Sequence, residues 1–514
     1  MTHHVHPSDP LPLSADALPR LALATPAYHR DAVRVGIVHI GVGGFHRAHM
    51  AMYLDTLMNQ GRAMDWGICG LGVLPGDARM RDALAGQDHL YTLAVKNPDG
   101  TVDSRVIGSI VDMLHAPDDP DAAVERMADP AVRIVSLTIT EGGYNVNQVT
   151  GAFDPDRPDV AQDLASAAAA ARGEQAPGPT SVFGLAVEAL ARRRARGHAP
   201  FTVMSCDNIQ GNGDVARRQF SAFARLRDED LAAWIEAEVP FPNSMVDRIT
   251  PVTVDADRER LAQQEGLADA WPVVCEPYTQ WVLEDRFVGG ADGRPPFEEV
   301  GVQLVDDVEP YELMKLRLLN ASHQALCYPG YLDGMRFAHE VCSDPLFVEY
   351  LRAYMDREAT PTLRPVPGID LGDYKATLIE RFANPCVRDT LARLCAESSD
   401  RIPTWLVPVI RENLEAGRPV GLSAAIVASW ARYAEGVDEA GAPIDVVDQR
   451  REAVMAAAAA QRDGDPLAFL RQEDLFGDLA ERPAFTEPYL RALTSFQERG
   501  ARATLEALLS GLRG

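Results

Sequence analysis

The run Arg34-Val35-Gly36-Ile37-Val38-His39-Ile40 passes directly into Gly41-Val42-Gly43-Gly44-Phe45-His46-Arg47-Ala48-His49, after which residues 50–58 take on helical periodicity. An apolar run bounded by glycine reads as a buried strand. A glycine turn between such a strand and a helix start collects free backbone amides and the positive end of the helix dipole at one point. That arrangement suits a dinucleotide pyrophosphate, with Gly41, Gly43, Gly44, Phe45, His46 and Arg47 around it. The other reading is an ordinary tight turn, because His46 stands where the third glycine of the G-x-G-x-x-G fingerprint belongs.

A second apolar strand, Trp66 to Leu74, is followed by Asp77. An acidic residue just past the second strand holds the adenosine ribose in dinucleotide domains and repels a 2′-phosphate, which favours NAD over NADP. Alternatively, Asp77 only caps the helix that begins near Ala78. Further strands are predicted at 104–113, 132–140 and 201–206, with a helix at 182–196 between the last two. The β-α alternation predicts an α/β fold with a mainly parallel sheet, whose ligands bind beyond the carboxyl ends of the strands. Polar residues at those ends are Thr140-Glu141-Gly142-Gly143-Tyr144 and Asp207-Asn208.

Residues 165–179, rich in Ala, Gly and Pro, read as an exposed insertion, and 240–253, containing Asn243 to Pro251, as a loop over the crevice or else a plain surface loop. The turn-rich stretch Gly289 to Pro296 marks a break. We expect a dinucleotide-binding domain over residues 1–300 and a mainly helical domain over 301–514, with helices at 311–328, 345–356, 371–382, 387–395, 405–416, 423–433, 447–461 and 487–512.

With 49 Lys+Arg against 75 Asp+Glu, the net charge of -26 would repel phosphate backbones and anionic lipid, so neither nucleic acid nor a membrane is an expected partner. The first residues lack a basic stretch followed by an apolar one, and no run of apolar residues is long enough to span a bilayer. The seven cysteines are scattered and never spaced Cys-x-x-Cys, which argues against a disulfide framework and a zinc knot. A cytoplasmic monomer with reduced thiols is expected. The histidines at positions 3, 4 and 6 read as part of a frayed tail.

The stretch from Tyr311 to His323 contains neither Gly nor Pro and reads as a helix. At about 100° per residue, taking Lys315 as zero puts His323 near about 80° and Asn320 near about 140°, one side of the helix. An apolar face carrying a lysine, an amide and an imidazole looks like a site; the plain alternative is a lysine that snorkels to water. A dinucleotide domain beside it suggests hydride transfer. Zinc-type ligand spacing is absent, and Tyr311-x-x-x-Lys315, which mimics the dyad of short-chain dehydrogenases, lies outside the nucleotide domain where that dyad belongs. A metal-free mechanism on Lys315 remains. A lysine near pKa 10.4 is a poor base at neutral pH unless burial lowers it.

The motifs at 37–49, 140–144, Ser205-Cys206-Asp207-Asn208 and Lys315-Leu316-Arg317-Leu318-Leu319-Asn320-Ala321-Ser322-His323 resemble the polyol-specific long-chain dehydrogenases, especially those acting on mannitol. The resemblance implies a Rossmann-type N-terminal domain, a mainly α-helical C-terminal domain, and interconversion of D-mannitol and D-fructose with NAD and no metal. It implies Lys315 as general base or acid, Asn208 and Asn320 as oxyanion-binding amides, and His323 as a partner of a substrate hydroxyl. Asp247, Arg393 and Arg401 would contact substrate, although Arg401 stands where a lysine is expected. Glu141 and Glu312 would pass the proton to water. Fructuronate and tagaturonate reductases and D-arabinitol dehydrogenases share the lysine helix, and a uronate would need an extra cation for its carboxylate. Outside enzymes, a non-catalytic NAD-binding sensor would have no need of Lys315.

Overall fold

The computed structural model describes residues 10–146 and 151–513. The chain forms two compact units, Met1–Glu309 and Pro310–Gly514. The N-terminal histidines named above lie outside the described residues.

Besides a short parallel pair, Leu11–Pro12 with Leu267–Ala268, the strands of the first unit are β1 (Val35–Ile40), β2 (Gly67–Gly72), β3 (Tyr91–Lys96), β4 (Val102–Ile107), β5 (Ile110–His115), β6 (Ile134–Leu137), β7 (Thr202–Ser205), β8 (Ser244–Asp247), β9 (Val273–Cys275), β10 (Gln280–Glu284) and β11 (Gln303–Val305). Five of them make a wholly parallel sheet in the order β5-β2-β1-β6-β7. The order reverses between β1 and β6, so the glycine turn leaves β1 at the switch point where such sheets bind ligands. Successive side chains serve opposite faces: Val38, Ile40, Cys69 and Leu71 join one buried cluster, Ile37 and Ile68 the other. Both faces are therefore covered, which is why these strands are apolar throughout rather than alternating.

The predicted strand at 104–113 is two strands. β4 pairs antiparallel with β3 in a separate sheet that β9 completes, while β5 edges the parallel sheet. The chain breaks at Gly108, whose N–H donates to Asp55 at 3.0 Å and where a Cβ would meet Pro26 at 2.8 Å. The expected loop at 243–251 is likewise partly strand: β8 is buried and pairs antiparallel with β10. Its short apolar-polar mixture hid an edge strand that is buried along its whole length. The low-complexity stretch begins within a helix, Pro158–Ala171, whose buried Asp163 accepts the backbone N–H groups of Thr180 and Ser181, both at 2.8 Å. No helix among the described residues is long and apolar enough to cross a membrane.

Helices α1 (Gly44–Ala48), α2 (Met50–Asn59), α3 (Val182–Ala195) and α4 (Asn212–Arg227) belong to the first unit. The second unit is helical: α5 (Glu309–Met314), α6 (Ala321–Leu332), α7 (Pro345–Tyr354), α8 (Leu371–Phe382), α9 (Leu391–Cys395), α10 (Ser398–Trp405), α11 (Val407–Glu415), α12 (Gly421–Tyr433) and α13 (Pro483–Arg513) frame it. α13 is two helices joined at Gly500, whose φ of 81° no helix contains. The expected uninterrupted helix over 311–328 is not α-helical throughout. Lys315–Asn320 is a π-helical segment between α5 and α6, and a second one, Met355–Ala359, continues α7.

Candidate active site

At the switch point Gly41 takes φ 93°, and a Cβ there would lie 2.1 Å from the Thr138 carbonyl oxygen. Only glycine lets β1 leave the sheet so close to β6. Gly43 faces open space, a Cβ meeting only the Gly41 carbonyl at 3.9 Å, so a ligand can approach its backbone. Phe45 stacks on His49 at 4.9 Å. His46, in the third glycine's place, lies flat on His39 with ring centroids 3.4 Å apart, and the pair fills the space that a glycine would leave between helix and strand. Burial, then the charges of His39, Arg47 and His49, holds His46 well below the usual histidine range, so it stays neutral. Arg47 is turned inward: its guanidinium donates to the Trp271 carbonyl and lies 5.2 Å from the Tyr91 ring centroid. Its side chain is thus a structural clamp.

Asp77 stands at the N-cap of the helix that begins at Ala78 but makes no side-chain capping bond to it, against the capping reading of the sequence. Its Oδ2 accepts the N–H groups of Val73 and Leu74, each at 2.9 Å, which shapes the loop after β2. Both bonds use the same carboxylate oxygen.

At the ends of β6 and β7, Glu141 and Asn208 are both exposed. Asp207 organises them, a role that its place beside Asn208 did not disclose. Its buried carboxylate accepts from the backbone of Ile139 at 3.1 Å and Thr140 at 2.8 Å and from the Tyr144 hydroxyl at 2.7 Å. Thr140 is held at φ 61°, an unfavourable conformation for a β-branched residue, and Asp207 braces it. Burial pushes the Asp207 carboxyl up to about 6. Asn212, fully buried, donates to the Asp207 carbonyl at 2.9 Å and to the Ser244 carbonyl at 2.8 Å, tying the end of β7 to β8 and hence to buried Asp247.

In the second unit Glu312, Lys315, Asn320 and His323 are all buried. Lys315 and Asn320 are the first and last residues of the π segment, five apart. In an α-helix that spacing separates side chains by about 140°; the wider π turn, closed by the Ala321 N–H on the Leu316 carbonyl, brings them nearer to one face. The amide nitrogen Nδ2 of Asn320 and Nε2 of His323 are buried without a hydrogen-bond partner, which marks a place for ligand oxygens. His323 packs on Phe382 at 4.6 Å between ring centroids. Burial, then the charges of Arg393, Arg381, Arg401 and Lys315, keeps it well below the usual histidine range and neutral.

Arg393 spends its guanidinium on Asp389, at 2.7 and 2.6 Å, and Arg401 donates to the carbonyls of Arg393 at 3.1 Å and Leu394 at 3.0 Å. Arg381, buried beside His323, was missed in the sequence. The signal for it was an arginine in phase with Tyr374, Leu378 and Phe382 on the apolar face of α8. Among the described residues no His, Cys, Asp and Glu side chains gather in a metal-ligating group.

Comparison with known proteins fits this geometry. Residues 35–295 match the mannitol dehydrogenase Rossmann domain and residues 307–497 the mannitol dehydrogenase C-terminal domain. The chain belongs to the mannitol dehydrogenase family. Among its relatives, mannitol 2-dehydrogenase of Aspergillus fumigatus is 47% identical over 503 residues, covering 96% of this chain and 97% of that one. The Phaeosphaeria nodorum enzyme of the same name is 47% identical over 500 residues, 96% of this chain and 85% of that one. Among solved structures, Pseudomonas fluorescens mannitol 2-dehydrogenase in ternary complex with NAD and D-mannitol superposes with a TM-score of 0.87 at 47% identity, covering 97% of this chain and 100% of that one. A substrate-free D-sorbitol dehydrogenase follows at TM-score 0.85 and 36% identity, covering 96% and 100%. The family match therefore includes both units.

Proposed function

We propose that the protein is an NAD-dependent polyol dehydrogenase that interconverts D-mannitol and D-fructose, with Lys315 as its proton-transfer group. The observation that carries this is the π segment, where a buried lysine, a buried amide with an unpartnered Nδ2 and a neutral imidazole stand together in a chain 47% identical to enzymes named mannitol 2-dehydrogenase.

The open glycine turn at Gly41, Gly43 and Gly44, the backbone of Phe45, His46 and Arg47, and Oδ1 of Asp77 suit NAD. NAD, when bound, supplies the hydride acceptor for polyol oxidation. Neutral Lys315 takes the proton of the reacting hydroxyl, and its ammonium returns that proton on ketose reduction. Asn320 through Nδ2, with Asn208 assigned the same task, stabilises the developing negative oxygen. His323 directs a substrate hydroxyl and Asp247 accepts from another. Glu312 and Glu141 pass the proton on to water.

The hydrogen bonds already made by the arginines favour a neutral polyol over a uronate, whose carboxylate would need a guanidinium free to bind it. Arg393 is neutralised by Asp389, Arg401 is occupied by carbonyls, and Arg381 is also engaged. The cysteines of the described residues are all free thiols, which suits a reducing cytoplasm.

The test follows NADH absorbance with fructose. Lys315→Ala is expected to lose roughly 10² to 10⁴ in kcat, the scale of general acid-base catalysis, with NADH binding retained and partial restoration by a small primary amine. Near-normal turnover with an unchanged pH profile would overturn the lysine mechanism. A panel of ketoses, polyols and uronates tests the substrate: fructuronate outrunning fructose would overturn mannitol, and no turnover of any would favour the sensor.

A further inference from the structure

The π segment that carries Lys315 is not a property of its own residues. Widening a helical turn displaces carbonyls from their regular amides, and such segments persist only where the surroundings supply other donors. Here the Tyr354 hydroxyl, fully buried, donates to the Arg317 carbonyl at 3.3 Å. Tyr354 is the residue immediately before the second π segment, and the two π segments pack against each other. The second is braced in the same way: Asn413 Nδ2 donates to the Glu358 carbonyl at 2.8 Å.

Arg317 adds a clamp from the other side. It lies within the first π segment, two residues after Lys315, and its side chain points away from solvent. Its guanidinium donates to both carboxylate oxygens of Glu412 on α11, at 2.8 and 2.6 Å, and to the Thr362 carbonyl at 2.6 Å. Backbone and side chain of Arg317 are thus both held, by residues 37 to 95 positions away in sequence.

We infer that Tyr354 and the Arg317–Glu412 pair are positioning residues for catalysis: they hold Lys315–Asn320 in π-helical register and so set the angle between the lysine and the Asn320 amide. Without the Tyr354 hydroxyl the Arg317 carbonyl regains its pull on an amide four residues on, the turn tightens toward α, and Lys315 and Asn320 separate around the axis. A misplacement of about 1 Å at a reacting group costs as much as 10²-fold. The inference rests on Lys315 being the proton-transfer group, and its test separates the two.

The test is a double-mutant cycle on the full chain with Tyr354→Phe, which keeps the ring and its packing, and Lys315→Ala. In the wild-type background Tyr354→Phe is expected to lower kcat for mannitol oxidation about 10- to 100-fold, leave the NADH dissociation constant unchanged, and shift the pH profile of oxidation. In the Lys315→Ala background, where no lysine is left to position, it is expected to change the residual rate less than threefold or so. Glu412→Gln, at a half-exposed site, releases the same segment without touching the buried core and is expected to shift the pH profile in the same direction. Wild-type kcat and pH profile in both Tyr354→Phe and Glu412→Gln, or an equal loss in both backgrounds of the cycle, overturns the positioning role while leaving Lys315 in place. Should Lys315→Ala alone keep normal turnover, the lysine mechanism falls and this role falls with it.

Discussion

The carboxylate of Asp207 accepts the backbone N–H of Thr140 at 2.8 Å and holds that residue at φ 61°, at the start of the turn that carries Glu141. Because burial raises this carboxyl to about 6, folding strengthens its hold on a proton. Its ionised form therefore costs stability above pH 6, and that cost is relieved as pH falls from about 6 toward the unfolded value near 3.8. Asp207→Asn, which cannot titrate, is expected to be less active at pH 7 through loss of acceptors for the turn. Its melting temperature, measured against wild type, is expected to fall behind as pH is lowered from 7 to 5. A gap that stays constant with pH would exclude titration of Asp207.

Three buried histidines act with the opposite sign. His39, pushed down to about 3, and His46 and His323, held well below 6.5, are neutral in the fold, while the unfolded chain protonates them below about 6.5. Folding stability is then lost as pH falls through 6.5, at up to about 1.4 kcal/mol per pH unit for each group. The three together outweigh Asp207. Thermal melts from pH 7.5 to 5 are expected to fall steeply, and His46→Gln to flatten the slope; a flat wild-type profile would contradict this.

Asn320→Ala removes a buried donor that has no protein partner, so little structure depends on it. A kcat loss of roughly 10² to 10³ is expected, the scale of one oxyanion donor, and the same for Asn208→Ala. NADH affinity by fluorescence titration should stay within a factor of about two, since the proposed role of both amides is toward the reacting substrate oxygen. Effects confined to KM would make them simple substrate contacts.

Asp77 holds the loop after β2, so alanine would confound that role with the proposed ribose contact. Asp77→Asn keeps an oxygen for the Val73 and Leu74 amides and removes the charge. The ratio of kcat/KM for NADH over NADPH is expected to fall about tenfold or more, equivalent to about 1.4 kcal/mol of removed repulsion. An unchanged ratio would assign Asp77 to loop structure alone.

Much of the fold was legible because it follows from local patterns. The apolar run into Gly41 announced β1 and the switch point, since a strand covered on both faces must be apolar throughout and a chain turning against Thr138 must be glycine. The helical patterns from residue 311 onward correspond to helices of the second unit, and Lys315, Asn320 and His323, read from the sequence as one side of a helix, are each buried there. The short strands β8 and β9 were not legible, because four or three residues carry too little period to distinguish from a loop.

The sequence by itself determined which elements form and which chemical groups they carry, because strand and helix patterns and the glycine turn depend on near neighbours. Only the tertiary structure decided how those groups are aimed. The π segment between Lys315 and Asn320 receives the Tyr354 hydroxyl at the Arg317 carbonyl, and the turn at Glu141 receives the Asp207 carboxylate at the Thr140 N–H. The neutral state of His323 depends on burial among three arginines and a lysine from several helices. Each of these is a hydrogen bond or a charge supplied from far along the chain. A segment's own residues do not encode a partner that reaches it only after folding.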